Sequence, residues 1–256
     1  MRANTIEVEI NDDIAVLTLN RVKQKNALNT EMLLELRALL QKLGPQSEIR
    51  CIVITGNKDT HAFASGADVF EMASMEEKQA AVFSKLGCET FDLLEQTEKP
   101  VIAAINGYAL GGGLELALAC DVRIAAMDAM VGLPETTLGI MPGFEGAQRL
   151  MQLAGYAKAA ELVFSGRMIT AQEARDAGIV NACFEQGQFW EKTLGIAHAF
   201  CRNAPLAVAA AKKVMKSPHD TAVNIALFGK LFETEDQKTG MNNMLHKQKT
   251  EYFKGK

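Results

Sequence analysis

Two short runs, CIVIT at residues 51–55 and VIAAI at 101–105, narrow the folds open to this chain more than any other feature. A strand with one face in water alternates polar and apolar residues. These runs do not alternate, so they read as strands buried on both faces. A stretch of helical pattern over roughly 76–97 separates them. VIAAI then leads through a glycine-rich turn into a short apolar helix near 113–120, followed by VRIAA at 122–126. Strand, helix and strand in that rhythm imply crossover units and a largely parallel sheet. Upstream, residues 5–10 and 14–19 are β-rich runs separated by Asn11-Asp12-Asp13, a hairpin signal. Met32, Leu33, Leu36, Leu39, Leu40 and Leu43 recur at helical spacing, with Thr30 as the expected N-cap and Gly44-Pro45 as the stop.

After about residue 143 helical patterns take over. The stretch Thr170 to Glu173 is a capping box opening a helix that Gly178 closes. From Gly187 onward only helical patterns remain, punctuated by Pro205 and Pro218. The expected organisation is an α/β core over residues 1–190 and a helical C-terminal region over 191–256, with no internal repeat visible in the sequence.

Composition excludes several classes of function. A chain of 256 residues, 48% hydrophobic and 23% charged, has the material for a large core and an ordinary water-facing surface. Its net charge of −4 gives no electrostatic reason to expect nucleic acid as a partner. The lysines of the tail (Lys238, Lys247, Lys249, Lys254, Lys256) are scattered as on a solvated face, which leaves an RNA-binding reading little support. No apolar run approaches the ~18 residues that a membrane span needs, and MRANTIEVEI carries no apolar leader. Five cysteines, an odd number without CxxC spacing, read as buried free thiols in a reducing compartment, so the expected location is cytoplasmic.

The chemistry concentrates in INGYALGGGLELALAC, residues 105–120. Three consecutive glycines between a buried strand and a helix start cost conformational entropy. They permit backbone N–H groups at the positive end of a helix to approach a ligand oxygen, although a tightly packed turn uses the same residues. A GxGxxG motif beginning at Gly111 would need glycine at Leu116, and no Gly-Lys-Ser/Thr follows, so dinucleotide and P-loop sites are excluded. Glu115 lies in an otherwise apolar helix, where burial raises a carboxyl pKa. Glu135 sits in VGLPETTLG (131–139) between Pro134 and Pro142-Gly143, which suits a rigid loop. Two desolvated carboxyls are what acid–base work at neutral pH requires. HAFASGAD (61–68) supplies a further turn of small residues after a strand, with Asp68 capping a helix through Met72. HExxH and GxSxG are absent, and none of the histidines (His61, His198, His219, His246) stands in a triad motif. No metal ligand set is therefore expected, nor a nucleophilic Ser65.

Taken together, KNALN (25–29), FASGAD (63–68), KPVIAAINGYALGGGLELALACD (99–121), LPETTLGIMPG (133–143), QRL (148–150) and TEDQKTGM (234–241) resemble the enoyl-CoA hydratase/isomerase (crotonase) family along essentially the whole chain. The resemblance implies a spiral of ββα units with a C-terminal helical trimerisation region, assembled as a homotrimer or homohexamer. It implies a hydro-lyase that adds water across the 2,3 double bond of a 2-enoyl-CoA to give a 3-hydroxyacyl-CoA. The alternative is a Δ3,Δ2-enoyl-CoA isomerase using Glu135. No cofactor is implied, because the acyl group arrives as its coenzyme A thioester. Ala67 and Gly112 are expected to donate the two oxyanion-hole N–H groups, Glu115 to activate water for C3, and Glu135 to handle the proton at C2. Lys25, Ala27, Leu28, Ala64, Ser65, Gly66 and Asp68 are expected around CoA, with the Gly143 N–H near the water. The sequence departs from the family pattern at Val22, where proline is common, and at Glu145, where glycine is usual. Glu145 either crowds the acid pair or points outward to Arg149 one turn on. The outward reading is favoured, since a third charge in the pocket is costly.

Overall fold

A computed structural model describes residues 5–216 and 220–256, so the expectation attached to Pro218 lies outside the described residues. Strands β1 (Ile6–Asn11) and β2 (Ile14–Leu19) form the expected hairpin, with Ile6 opposite Leu19 and Asn11 opposite Ile14. Helix α1 (Thr30–Leu43) is capped by Asn29 rather than Thr30. The Asn29 side chain accepts the Met32 N–H at 3.0 Å, while the Thr30 hydroxyl donates to Glu71. The difference is one of register: Asn29, with extended backbone one residue outside the helix, reaches forward to the N–H of the first turn, while Thr30 is already the first helical residue.

Three ββα units follow. The first is β3 (Cys51–Gly56), β4 (Ala62–Ala64), then helices α2 (Val69–Met72) and α3 (Glu77–Gln96). The second is β5 (Val101–Ile105), β6 (Tyr108–Leu110) and α4 (Gly112–Ala119). The third is β7 (Val122–Ala126), β8 (Met130–Gly132) and α5 (Gly146–Ser165). Then come β9 (Ile169–Thr170), α6 (Ala171–Asp176), β10 (Ala182–Phe184) and α7 (Gln186–Cys201). The first strand of each unit enters a sheet of order β1-β2-β3-β5-β7-β10 and the second a sheet of order β4-β6-β8-β9. Parallel pairing runs from β2 to β10 in the large sheet and from β4 to β8 in the small one. The chain thus winds as the spiral of ββα units that the resemblance implies. The second strands have only three residues each, too short for periodicity to reveal.

The apolar runs explain themselves in this setting. Ile52 and Ile54 of β3, with Val101, Ala103 and Ile105 of β5, face a core beneath α1, α3 and α4. Cys51 and Val53, with Ile102 and Ala104, face a second core covered by Phe189, Ala197 and Cys201 of α7. Both faces are dry, so alternation disappears. The boundary expected between residues 190 and 191 falls inside α7, which packs on the large sheet.

Helices α8 (Pro205–Lys216), α9 (Thr221–Leu231) and α10 (Glu235–Leu245) complete the chain. Lys212 anchors α8: its buried ammonium donates to the Leu94 and Lys99 carbonyls and pairs with Asp121 at 2.7 Å. No helix among the described residues is long and apolar enough to cross a membrane. The five cysteines are free; Cys51, Cys120 and Cys201 are buried, whereas Cys88 and Cys183 are only partly so.

Candidate active site

The small sheet and α4 bring the expected residues together. At the end of β4, residues 64–68 are held against the loop before α1. The Ser65 N–H donates to the Lys25 carbonyl at 3.1 Å, Leu28 N–H to Gly66 at 2.8 Å, and Asp68 N–H to Leu28 at 2.8 Å. This bridge uses the groups on either side of Ala67, whose own N–H makes no hydrogen bond among the described residues. Buried Asn26 fixes the loop by donating to the Ala62 and Phe63 carbonyls. Lys25 is exposed, while Ala27 and Ala64 are buried alongside. The Leu28 side chain is wholly in the core, and Asp68 spends its carboxylate on the Phe70 and Glu71 N–H groups and on Arg21 at 2.9 Å. These two residues shape the turn with their buried side chains rather than face an open site. The Ser65 hydroxyl donates to the Gln24 carbonyl at 3.2 Å, and no histidine among the described residues hydrogen-bonds it. The described residues also hold no group of three or more His, Cys, Asp or Glu placed for a metal ion.

Each glycine of the triplet answers a separate demand. Gly111 has φ +50°, and a Cβ there would stand 2.8 Å from Glu135 Oε1. A Cβ on Gly113 would meet the Ala64 carbonyl oxygen at 2.2 Å, so the start of α4 can lie on β4 only without one. At Gly112 a Cβ would be 3.1 Å from the Ala67 nitrogen. As the first residue of α4, Gly112 has no intrahelical acceptor for its N–H, and it finds none among the other described residues. Two unbonded amides therefore stand side by side at the positive end of a helix.

Glu115 occupies the first turn of α4 and is 1% exposed. Its Oε1 accepts the Phe144 N–H at 2.8 Å and the Gly146 N–H at 2.7 Å. A side chain at Gly146 would collide with it, since a Cβ would lie 2.4 Å from Glu115 Cγ. Glu135 opens the 3-10 turn Glu135–Leu138, is also buried, and keeps one carboxyl oxygen, Oε2, without a hydrogen-bond partner. Burial pushes the Glu115 carboxyl up to about 7, and the Glu135 charge adds to the rise against the opposing pull of the Gly146 and Phe144 amides and Arg149. Burial likewise lifts Glu135 to about 7.

Glu145 points away from the pair. It is the N-cap of α5 in the left-handed region (φ +67°), and its half-exposed carboxylate meets Arg149 at 3.2 Å. That backbone conformation is why glycine suits the position, and a side chain there is strained by ~1–2 kcal/mol. Gly143 offers an N–H with no hydrogen bond among the described residues, while its carbonyl accepts from the Ser84 hydroxyl at 2.6 Å. Sequence reasoning missed the support of this loop. The Phe144 ring stands edge-on to Phe83 and Phe91, each 5.4 Å away, and with Gly146 it supplies the amides to Glu115. A lone aromatic in a glycine-rich loop was the only local signal for it.

The sequence profile of the enoyl-CoA hydratase/isomerase family matches residues 9–255. The chain is 40% identical to a short-chain-enoyl-CoA hydratase of Clostridium acetobutylicum, with all of both chains covered. It is 40% identical to a crotonyl-CoA hydratase of Syntrophomonas wolfei over 99% of each. The crystal structure of an enoyl-CoA hydratase from Bacillus anthracis superposes with a TM-score of 0.92 at 38% identity, covering 98% of this chain and 100% of that one. The chain belongs to the enoyl-CoA hydratase/isomerase family.

The raised carboxyls carry a stability signature. Below the ordinary value of 4.5, Glu115 is protonated whether folded or unfolded and contributes nothing. Between 4.5 and about 7 the unfolded chain releases a proton that the folded one retains, so stability falls as pH rises, and the loss is complete above 7. Glu115→Gln should therefore match the wild type near pH 4 and exceed it by up to about 3 kcal/mol at pH 8 in denaturant melts. Equal stability differences at the two pH values would contradict burial of an ionisable group there.

Proposed function

We propose that this chain is an enoyl-CoA hydratase, a hydro-lyase that converts a 2-enoyl-CoA to a 3-hydroxyacyl-CoA. The observation that carries the reading is the pair of buried carboxyls, both lifted to about 7, beside two unbonded amides. At neutral pH one carboxyl can be ionised while the other holds a proton. Ionised Glu115 takes a proton from water as the oxygen bonds to C3. The π electrons move toward C2 and the thioester, whose oxygen gains charge between the Ala67 and Gly112 amides. Each such donor is worth ~3 kcal/mol in comparable oxyanion holes. Protonated Glu135 then delivers its proton to C2, and the pair returns to its starting state by exchange with solvent. Water and two carboxyls supply every proton, so no separate cofactor enters the scheme. CoA is assigned to the exposed Lys25, to Ala27, and to the backbone of residues 64–66, with the Gly143 N–H available to the water. The proposed compartment is the cytoplasm, in keeping with five unpaired cysteines.

An isomerase moves one proton and needs one carboxyl. Glu115, held by two amides yet kept near neutrality, is superfluous to that reaction, which favours hydration. With crotonyl-CoA, hydration removes the conjugated absorbance and isomerisation leaves it. Glu115→Gln and Glu135→Gln should each keep the ester bound while lowering kcat by at least ~100-fold. Near-wild-type turnover in either variant, or no loss of absorbance with the wild type, would overturn the reading.

A homo-oligomer, trimeric or a pair of trimers, is proposed on the strength of the C-terminal helices. Ile225, Phe228, Phe232, Met244 and Leu245 are exposed there, more apolar surface than a monomer ordinarily leaves in water. Light scattering at micromolar concentration should return three or six times the chain mass; a clean monomer would refute it.

A further inference from the structure

The guanidinium of Arg149 ties the Glu115-binding loop to helix α3. It lies on α5 and is 5% exposed. It donates to the Phe144 carbonyl at 2.6 Å, and it meets Asp92 at 3.0 Å and Glu95 at 3.2 Å, both on α3. Glu145 approaches it at 3.2 Å from the start of its own helix, and Lys216 of α8 reaches Glu95 at 3.2 Å from beyond. A planar fork with several donors can bond a carbonyl and two carboxylates at once, which an ammonium does poorly. The carbonyl it holds belongs to the residue whose N–H, with that of Gly146, binds Glu115 Oε1.

We propose that Arg149 is a positioning residue for water activation, holding the Phe144 carbonyl so that the Phe144 and Gly146 amides stay aimed at Glu115. The inference rests on the hydratase reading of the site. Arg149 also places a buried positive charge near Glu115, opposing the effect of burial and of the neighbouring Glu135 charge. The charged groups around it are Asp92 and Glu95 on α3, Glu145, and Lys216 beyond Glu95. The Cys88 thiol on α3 also lies within reach of the fields of Glu115, Glu145 and Arg149.

Arg149→Met removes both fork and charge. With crotonyl-CoA it should lower kcat ~10-fold with KM within about twofold, because the thioester contacts are untouched. It should also move the acid limb of the pH–rate profile up by ~1 unit, since Glu115 then ionises later. Arg149→Lys restores the charge and should return the limb to its place while kcat stays low. The paired change Asp92→Asn with Glu95→Gln leaves the guanidinium less compensated and should move the limb the other way, by a few tenths of a unit. That variant keeps the test open if Arg149→Met fails to fold. The infrared carboxyl band that Glu115→Gln abolishes, followed against pH, reads the same ionisation without turnover. If wild-type protein does not hydrate crotonyl-CoA, the functional reading fails, and the band still decides the role of Arg149. A limb and band unmoved in folded Arg149→Met or in the paired variant would overturn the proposal.

Discussion

Two backbone amides, those of Phe144 and Gly146, grip one oxygen of a carboxyl that the rest of the structure has taken out of water. Without them Glu115 would sit in its apolar helix as a neutral acid, since an isolated buried charge is costly. With them the ionised form is partly restored, and the balance settles near neutrality. Most of the site's architecture serves that balance. The Gly146 position has no room for a side chain, the Phe144 ring is wedged between Phe83 and Phe91, and Ser84 holds the Gly143 carbonyl in front of them.

The spiral places this grip beside the amides. Each unit sends one strand to the large sheet and one to the small sheet before its helix, so α4 begins where β6 ends, directly over the end of β4. Backbone then packs on backbone at Gly113 and Ala64, which sets the distance between the Ala67 and Gly112 nitrogens. A site made of main-chain donors inherits the rigidity of the sheets that hold it, which is what electrostatic preorganisation requires.

Much of this was legible in the residues, and the exceptions have physical causes. CIVIT and VIAAI announce a doubly covered parallel sheet because nothing polar interrupts them. Glu115 stands out as a charge among leucines and alanines, and three glycines in a row demand a reason. The second strand of each unit was hidden, since three residues carry no period. Residues Phe144, Gly146 and Arg149 were hidden as supports because they act on Glu115 from about thirty residues away in sequence, and no local rule couples them. The outward course of Glu145 was already favoured by the cost of a third charge in the pocket, and only its left-handed backbone went undeclared by its neighbours in sequence.

The central claim is that Glu115 titrates near neutrality because it is buried and because Glu135 stands close by. A carbon-13 NMR titration of glutamate side-chain carboxyls, assigned with Glu115→Gln, measures this directly in the wild type and in Glu135→Gln. The account predicts a Glu115 midpoint near 7 in the wild type and a lower one once the Glu135 charge is gone. A Glu115 carboxyl already largely ionised at pH ~5 would contradict it, since that is the behaviour of a glutamate at its ordinary value of 4.5.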